Sequence, residues 1–381
     1  MKIKILAAFL FLCLPNSFVF SLEIPETIIK VAVLENVSNL NVESEKKFFI
    51  YDLIRGVKKN LEKQTFCQIS ANKKGLFVGS EEWSDLIRIV PEEDDFIIVN
   101  GKKYRDTIIL KKTDQEKITV INELGLDHYL YGILPKEVSW DWPKESLKAQ
   151  AVISRTFALK NLKRHESEGF HFCSKVHCQV YGGLNSEKET TNQAVDETDH
   201  EILTYRGELI NSVFFANCGG QTEQVSNTWL TNIIYPYLKS VRCRFCGNEP
   251  NYFWKRLVTE SEIVESLKKN RYEISLPLRS IRNAGYGRSG RAKFLKISHG
   301  AGILNIRASQ FRMSLGPDRI RSTLFKEIKK VKKGFIFRGK GWGHGIGMCQ
   351  DGAKGLARKG TSYKKILHFY YSGSKIEKLE Y

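Results

Sequence analysis

The spacing of apolar residues changes period near residue 124, and this change constrains the fold more than any other feature. From residue 22 to about residue 120, apolar and polar side chains alternate with a period near two, as in strands that bury one face. Asn100 and Gly101 separate two such runs and predict a hairpin, because both turn residues need a positive φ. The sequence therefore predicts a β-rich N-terminal region over residues 22–121.

Helical spacing replaces the alternation beyond this region. Residues 126–132 predict a short helix ended by Gly132, and Pro143 suits the first turn of a longer helix that runs to about Arg164, with Asp141 as its capping acid. Three more helices are predicted over residues 259–269, 309–315 and 363–370. Since strands and helices do not follow βαβ spacing, the predicted fold class is α+β.

The first 21 residues are typical of a secretory signal. Lys2 and Lys4 precede an apolar run over residues 5–14, which is too short to span a bilayer. Cleavage after Ser21 would leave Leu22 as the first mature residue, and retention of the segment as an anchor is the alternative. The sequence thus predicts export to the periplasm or cell envelope.

The net charge of +18 indicates an anionic partner. Export argues against nucleic acid, so the expected partners are peptidoglycan, another anionic wall polymer or a membrane surface. The alternative is that the charge serves solubility alone. Electrostatic attraction to an anionic partner is screened by salt, so binding to wall or membrane material should weaken as ionic strength rises.

Glu137 is the first candidate for chemistry. It follows Pro135 and precedes Trp140 and Trp142, and apolar surroundings raise the pKa of a carboxyl group towards the range that a general acid needs. The neighbouring Lys136 acts in the opposite direction. The alternative interpretation is a glutamate that caps a helix or faces water.

A second candidate is the glycine-rich segment around His344. Five glycines fall within residues 339–347, and glycine lets a backbone approach a ligand closely. The segment has no phosphate-loop pattern, so an uncharged or sugar-like ligand fits it better. The alternative is a buried histidine inside a tight crossover.

A third candidate is a metal site made by Cys173, His177 and Cys178. Three soft ligands within six residues suit tetrahedral zinc, and His165 or His171 lies near enough in the chain to be the fourth ligand. The alternative is a disulfide between the two cysteines.

The remaining cysteines leave a further option open. Of the eight in the chain, Cys13 falls in the predicted signal, and the seven that follow cannot all pair. Cys243 and Cys246 have the spacing of a metal-binding pair and offer a separate, cysteine-only ligand set.

Four blocks in order resemble the SpoIID/LytB family of bacterial cell-wall proteins. They are LDHYLYGILPKEVSWDWPKESLKAQAVISRTFAL, CSKVHCQVYGGL, FANCGGQTE and GWGHGIGMCQDGAKGLARKGTSYKKILHFYYSG. The resemblance implies a catalytic domain over residues 122–373, in which mixed strands and helices surround a groove. Residues 374–381 then form a C-terminal tail.

The resemblance also implies an activity and roles for residues. Family members of the SpoIID type are lytic transglycosylases, which cut the N-acetylmuramic acid–N-acetylglucosamine bond without water and leave a 1,6-anhydro end. The family's catalytic glutamate falls on Glu137 and its helix arginine on Arg155. His344, Tyr181 and Gln350 are the candidates for holding the substrate.

The resemblance also bears on the metal site, on Cys218 and on the competing functions. Some relatives bind zinc at the loop that corresponds to Cys173, His177 and Cys178. The family's fourth ligand, a histidine further upstream, has no clear match here, so His165 and His171 both stay candidates for that position. Relatives usually carry a small hydroxyl residue where this chain has Cys218. LytB-type members suggest a competing role, a non-catalytic activator of a cell-wall amidase, and a glycan-binding module is a further alternative.

Overall fold

A computed structural model of the chain describes residues 27–61, 66–92, 95–175, 177–229, 231 and 233–379. The predicted signal segment, residues 1–21, lies outside these ranges. None of the helices in the described residues has both the length and the apolar content needed to cross a membrane.

The N-terminal part of the described chain consists of antiparallel strands. They are β1 (Ile28–Val37), β2 (Asn39–Glu43), β3 (Phe48–Asp52), β4 (Lys58–Leu61), β5 (Cys67–Asn72), β6 (Gly75–Val78), β7 (Glu81–Trp83), β8 (Leu86–Pro91), β9 (Phe96–Val99), β10 (Lys102–Arg105), β11 (Thr107–Lys112) and β12 (Ile118–Gly125). One sheet has the order β1-β12-β11-β8-β3-β4, and the other β10-β9-β2-β5-β6-β7. The predicted hairpin is confirmed, since Asn100 (φ 47°) and Gly101 (φ 77°) join β9 to β10.

Helices and short strands follow. The helices are α1 (Leu126–Glu137), α2 (Lys144–Lys160), α3 (Glu189–Asp196), α4 (Val225–Thr228), α5 (Glu260–Lys269), α6 (Ala308–Leu315), α7 (Gln350–Ala357) and α8 (Tyr363–Tyr370). The strands are β13 (Phe172–Cys173), β14 (Glu201–Tyr205), β15 (Glu208–Leu209), β16 (Phe214–Phe215), β17 (Phe253–Val258), β18 (Ser280–Tyr286), β19 (Ala292–His299), β20 (Gly302–Arg307), β21 (Phe325–Val331), β22 (Gly334–Lys340), β23 (Met348–Cys349) and β24 (Lys375–Lys378). The predicted α+β class is confirmed.

Three large apolar cores organise these elements. The first fills the space between the N-terminal sheets and α1, and the second surrounds α7, α8 and one side of α2. The third belongs to β17–β22 with α5 and α6. Because α2 packs against α1, α3, α7 and α8, it joins the first core to the second.

Local signals predicted several helices correctly. Thr259 caps α5, where its hydroxyl accepts a hydrogen bond from the Glu262 N–H (3.1 Å). Gly316 (φ 98°) follows the last residue of α6. The third predicted helix coincides with α8.

The predicted ends of α1 and α2 are wrong. Helix α1 continues past Gly132, where a Cβ atom would lie 2.3 Å from a ring carbon of Tyr181. That glycine therefore permits close packing and does not end the helix. Asp141 does not cap α2, whose N-cap is Pro143 without a side-chain hydrogen bond, and α2 ends at Lys160 instead of near Arg164.

The predicted C-terminal tail, residues 374–381, takes part in a sheet. Its strand β24 pairs with β14 in an antiparallel register that sets Ile376 opposite Leu203. This pairing joins residues far apart in the chain, which the short segment could not indicate by itself.

Candidate active site and histidine–cysteine centre

Glu137 lies where three helices meet. It is the last residue of α1, and its side chain is mostly buried. The Gln350 amide, at the first position of α7, donates to the Glu137 carbonyl (3.2 Å) and to the Gln150 side-chain oxygen on α2 (3.3 Å). Gln150 in turn donates to the Ser154 hydroxyl (3.1 Å). This buried network fixes the backbone that carries the glutamate.

The surroundings of Glu137 favour its protonated form. Burial raises the pKa of this carboxyl group to about 7, and a hydrogen bond from the backbone N–H of Val180 offsets part of that rise. In the described residues no charged side chain contributes to this pKa, so neither Lys136 nor a second carboxylate is coupled to it. The predicted aromatic setting is only partial, because Trp142 packs nearby against Val138 whereas Trp140 is exposed.

Arg155 is committed to structural contacts. Its side chain is 1% exposed and forms an ion pair with Asp127 at the start of α1 (3.0 Å). Its other hydrogen bonds go to the backbone carbonyls of Thr198, Glu201 and Val195. Arg155 therefore joins α1, α2 and α3, and it leaves the candidate acid unpaired.

The segment before Val180, whose backbone N–H contacts Glu137, is held to the rest of the fold at two places. Strand β13 adds in parallel to β1, with Ala32 opposite Cys173. Further along, the Tyr129 hydroxyl on α1 donates to Gln179 (3.1 Å). The loop between these anchors contains His177 and Cys178, and it begins directly after Cys173.

Four side chains converge beside that loop: His165, Cys173, His177 and Cys178. The two sulfurs are 3.5 Å apart, and the Cys178 sulfur lies 3.3 Å from Nε2 of His165 and 3.6 Å from Nδ1 of His177. Four ligands about 2.0–2.3 Å from one ion lie about 3.3–3.8 Å from one another. The spacing therefore fits tetrahedral zinc, and both cysteines are free thiols here.

The geometry chooses between the two histidines that the sequence left open. Nδ1 of His165 pairs with the Glu168 carboxylate (2.5 Å), which leaves Nε2 directed at the cluster, a common arrangement in metal sites. Nδ1 of His171 instead accepts a hydrogen bond from the Lys30 backbone N–H (3.1 Å). His165 fits the fourth ligand position, whereas His171 lies outside the cluster.

His344 lines a cavity that Glu137 does not line. This cavity of about 270 Å³ is also lined by Trp229, Arg312 and Met313. Nε2 of His344 donates to the Phe214 carbonyl (3.0 Å), and Nδ1 accepts from the Ile346 N–H. Burial lowers the pKa of His344 to about 3, so the ring is neutral and holds the glycine-rich loop in place.

Tyr181 and Gln350 also serve the interior. The Tyr181 ring stacks on Tyr104 and Tyr129, and its hydroxyl donates to Asn122 (2.6 Å). Gln350 is buried in the network beside Glu137. Substrate binding by His344, Tyr181 or Gln350 thus stays a prediction, while each has a clear packing or positioning role.

Sequence reasoning missed Val180, Gln150 and Ser154. Val180 is an apolar residue whose backbone does the work, so its side chain carries no signal. Gln150 and Ser154 are polar residues at helical spacing within an otherwise apolar stripe of α2, and that pattern could have indicated a buried network.

Comparisons with known proteins agree with this architecture. The family model SpoIID, described as Stage II sporulation protein, matches residues 114–205, which include Glu137, Arg155 and the histidine–cysteine loop. A domain of unknown function, DUF8618, matches residues 225–347.

Related proteins cover most of the chain. An uncharacterized protein of Brachyspira hyodysenteriae is 36% identical over 76% of this chain and 76% of its own length. Stage II sporulation protein D of Bacillus amyloliquefaciens is 28% identical over 68% of this chain and 76% of its own. The amidase enhancer of Bacillus subtilis is 29% identical over 77% of this chain, and the match spans 47% of that protein. With the family model placed on the very segment that builds the Glu137 site, the chain belongs to the SpoIID family.

Proposed function

We propose that this protein is an exported peptidoglycan lytic transglycosylase with Glu137 as its general acid and base. It cleaves the β-1,4 bond between N-acetylmuramic acid and N-acetylglucosamine and leaves a 1,6-anhydro end. The observation that carries the proposal is one carboxyl group with a pKa near 7 and no coupled acidic partner in the described residues. Glycosidases that use water require two carboxylates, but a lytic enzyme needs one.

The proposed reaction uses Glu137 twice. The protonated acid gives its proton to the glycosidic oxygen as the bond from C1 to that oxygen breaks. The C6 hydroxyl of the same sugar then attacks C1, and the resulting carboxylate takes the hydroxyl proton. Because this nucleophile is tethered to the reacting ring, effective molarity replaces an activated water.

Two features support Glu137 in this role. The Val180 N–H orients the carboxylate, and the Gln350–Gln150 network holds the end of α1. Zinc held by His165, Cys173, His177 and Cys178 would supply a structural cross-link only. It would fix the loop two residues before Val180.

The location and partners follow from the same proposal. The signal-like N-terminus and the charge of +18 suit an exported protein that acts on peptidoglycan in an anionic envelope. The names of the relatives, Stage II sporulation protein D and amidase enhancer, support a role in the cell wall.

The likeness to the amidase enhancer favours a second candidate function, the activation of a cell-wall amidase. Purified glycan strands and intact peptidoglycan with an added amidase separate the two. Cleavage of strands by the protein alone supports the lytic proposal. Intact strands together with faster amidase turnover would establish the second function and refute the first.

Activity should fall as pH rises through about 7. The first step needs protonated Glu137, whose pKa is about 7 in the free protein, so the active form is lost above that pH. The measurement is kcat/KM on glycan strands from pH 5 to pH 9. A profile that stays flat across pH 7 would contradict the assignment of the acid.

Cys178→Ser should lower the zinc content by about one ion per chain, because it removes one of four ligands. It should also lower kcat and move the basic limb of the pH profile upward, since the loop no longer holds the Val180 N–H that lowers the pKa of Glu137. Cys67→Ser is the matched control, as this buried cysteine lies outside the cluster. Unchanged zinc in Cys178→Ser would rule the site out.

A further inference from the structure

A second group of sulfurs lies in the core between α2, α7 and α8. The side chains of Cys218, Cys243, Cys246 and Cys349 are all buried, and their sulfur atoms lie within 4.8 Å of one another. We propose that these four thiolates bind one zinc ion as a second, all-cysteine structural site. The proposal does not depend on glycan cleavage by this protein.

Three separate segments bring the sulfurs together. The parallel pair of β16 and β23 sets Phe215 opposite Cys349, and the chain reaches Cys218 three residues later. The loop with Cys243 and Cys246 is tied to the same turn, because the Cys243 N–H donates to the Gly220 carbonyl (3.0 Å). A metal here would cross-link strand, turn and loop, as structural zinc sites do.

Hydrogen-bond donors face the sulfurs. The Cys349 sulfur accepts from the Cys218 N–H (3.1 Å) and the Gly352 N–H (3.3 Å), at the N-terminus of α7. The Tyr370 hydroxyl lies 3.2 Å from the Cys243 sulfur. Donors of this kind, directed at the sulfurs from outside the cluster, are the contacts that orient and stabilise sulfur ligands around a metal.

Gly352 leaves room that a side chain would fill. A Cβ atom there would lie 2.5 Å from the Cys243 sulfur and 2.1 Å from the Tyr370 oxygen. The backbone of α7 therefore approaches the sulfurs as closely as a ligand cluster requires.

A buried cation compensates for the charge of such a site. Arg291 is 1% exposed and donates to the Cys218 carbonyl (2.8 Å), the Gln221 carbonyl and the Ser289 hydroxyl, which in turn donates to the buried Glu223 carboxylate. Its Nε has no hydrogen-bond partner in the described residues. Four thiolates around Zn²⁺ carry two negative charges, so a neighbouring guanidinium stabilises the occupied site.

The geometry favours one ion over the other arrangements of four cysteines. Sulfurs about 2.3 Å from a single tetrahedral ion are about 3.8 Å apart, consistent with the observed 4.8 Å limit. Iron–sulfur clusters hold their cysteines further apart, around several irons. Two disulfides would divide the sulfurs into two separate bonded pairs, whereas here all four sulfurs lie within 4.8 Å of one another.

Native mass spectrometry of the full chain tests the proposal. With the histidine-containing site also filled, wild type should carry about two zinc ions, and Cys178→Ser about one. X-ray absorption of the ion that remains in Cys178→Ser should then show sulfur ligands only. Cys67→Ser should keep both ions, because Cys67 lies in neither cluster.

Both variants leave the four cysteines intact, so a folding defect from their loss does not enter the test. If wild type itself holds a single zinc with an all-sulfur shell, and that ion survives Cys178→Ser, the result would support this site and refute the other one. The proposal is overturned if no zinc with an all-sulfur shell is found. It is equally overturned if the four cysteines resist alkylation in denaturant and chelator until a reductant is added, which would reveal disulfides.

Discussion

Glu137→Gln should reduce the rate of glycan cleavage by about 10³-fold, within the range of about 10²–10⁴ that general acid–base catalysis contributes. Glutamine has the same shape but neither gives nor takes the proton. Steady-state cleavage of purified glycan strands measures the loss, while strand binding should stay near the wild-type level. The matched control is Glu265→Gln, an exposed glutamate on α5.

The same variant should be more stable than wild type at high pH. The pKa of Glu137 is about 7 in the fold, above its ordinary value of 4.5, so protonation favours the folded state between these values. Wild type therefore loses stability as pH rises from about 4.5 to about 7, by about 3 kcal/mol at most, and the loss then stays constant, while glutamine does not titrate. Thermal unfolding at pH 5 and pH 9 should show a gain for Glu137→Gln that is present at pH 9 and nearly absent at pH 5. Full glycan-cleaving activity in Glu137→Gln, or a stability difference independent of pH, would remove Glu137 from its role.

Arg155→Met should lower the free energy of unfolding by several kcal/mol, because each buried backbone carbonyl that loses its donor costs about 1–3 kcal/mol, and the ion pair with the partly exposed Asp127 adds less. The change removes the guanidinium that now pairs with the Asp127 carboxylate and donates hydrogen bonds to three backbone carbonyls. Denaturant unfolding of the full chain measures the loss. Arg155→Lys keeps the charge but cannot reach all four acceptors, so it should fall between wild type and Arg155→Met.

This prediction separates two roles for Arg155. A residue that positions α1 through Asp127 affects stability first and activity through the displaced Glu137. If Arg155→Met were as stable as wild type but had lost glycan cleavage, the result would instead show that Arg155 acts on the substrate.

Local features of the sequence predicted the parts of the fold that depend on neighbours in the chain. The cap at Thr259 and the turn at Asn100 and Gly101 involve residues at most three positions apart. Gly132 shows where such reasoning ends. Glycine is a common helix stop, but here its lack of a side chain admits the ring of Tyr181, which follows 49 positions later.

The candidate site shows the same division. The acid and the types of metal ligand were predicted from the sequence. The choice of His165 over His171 was not, because it depends on the Lys30 backbone N–H, which binds His171, and on the position of His165 in the cluster. Burial of Glu137 comes from α2 and α7 and from the Val180 loop. Such contacts join residues up to 213 positions apart, as between Glu137 and Gln350.

Cys349 was the cysteine hardest to place from the sequence. It lies in the glycine-rich segment, apart from both cysteine pairs, and only the parallel pairing of β16 with β23 sets it beside Cys218. The resemblance had marked Cys218 as a departure from its relatives, and the four-sulfur cluster supplies a physical reason for that cysteine.

Mass spectrometry of the chain ends released from purified glycan strands shows directly whether cleavage is lytic or hydrolytic. Wild type should form 1,6-anhydro-N-acetylmuramic acid ends, which are one water lighter than reducing ends, and Glu137→Gln should form almost none. Reducing ends, with oxygen incorporated from labelled water, would contradict the lytic mechanism, because they would show that water and not the C6 hydroxyl attacks C1.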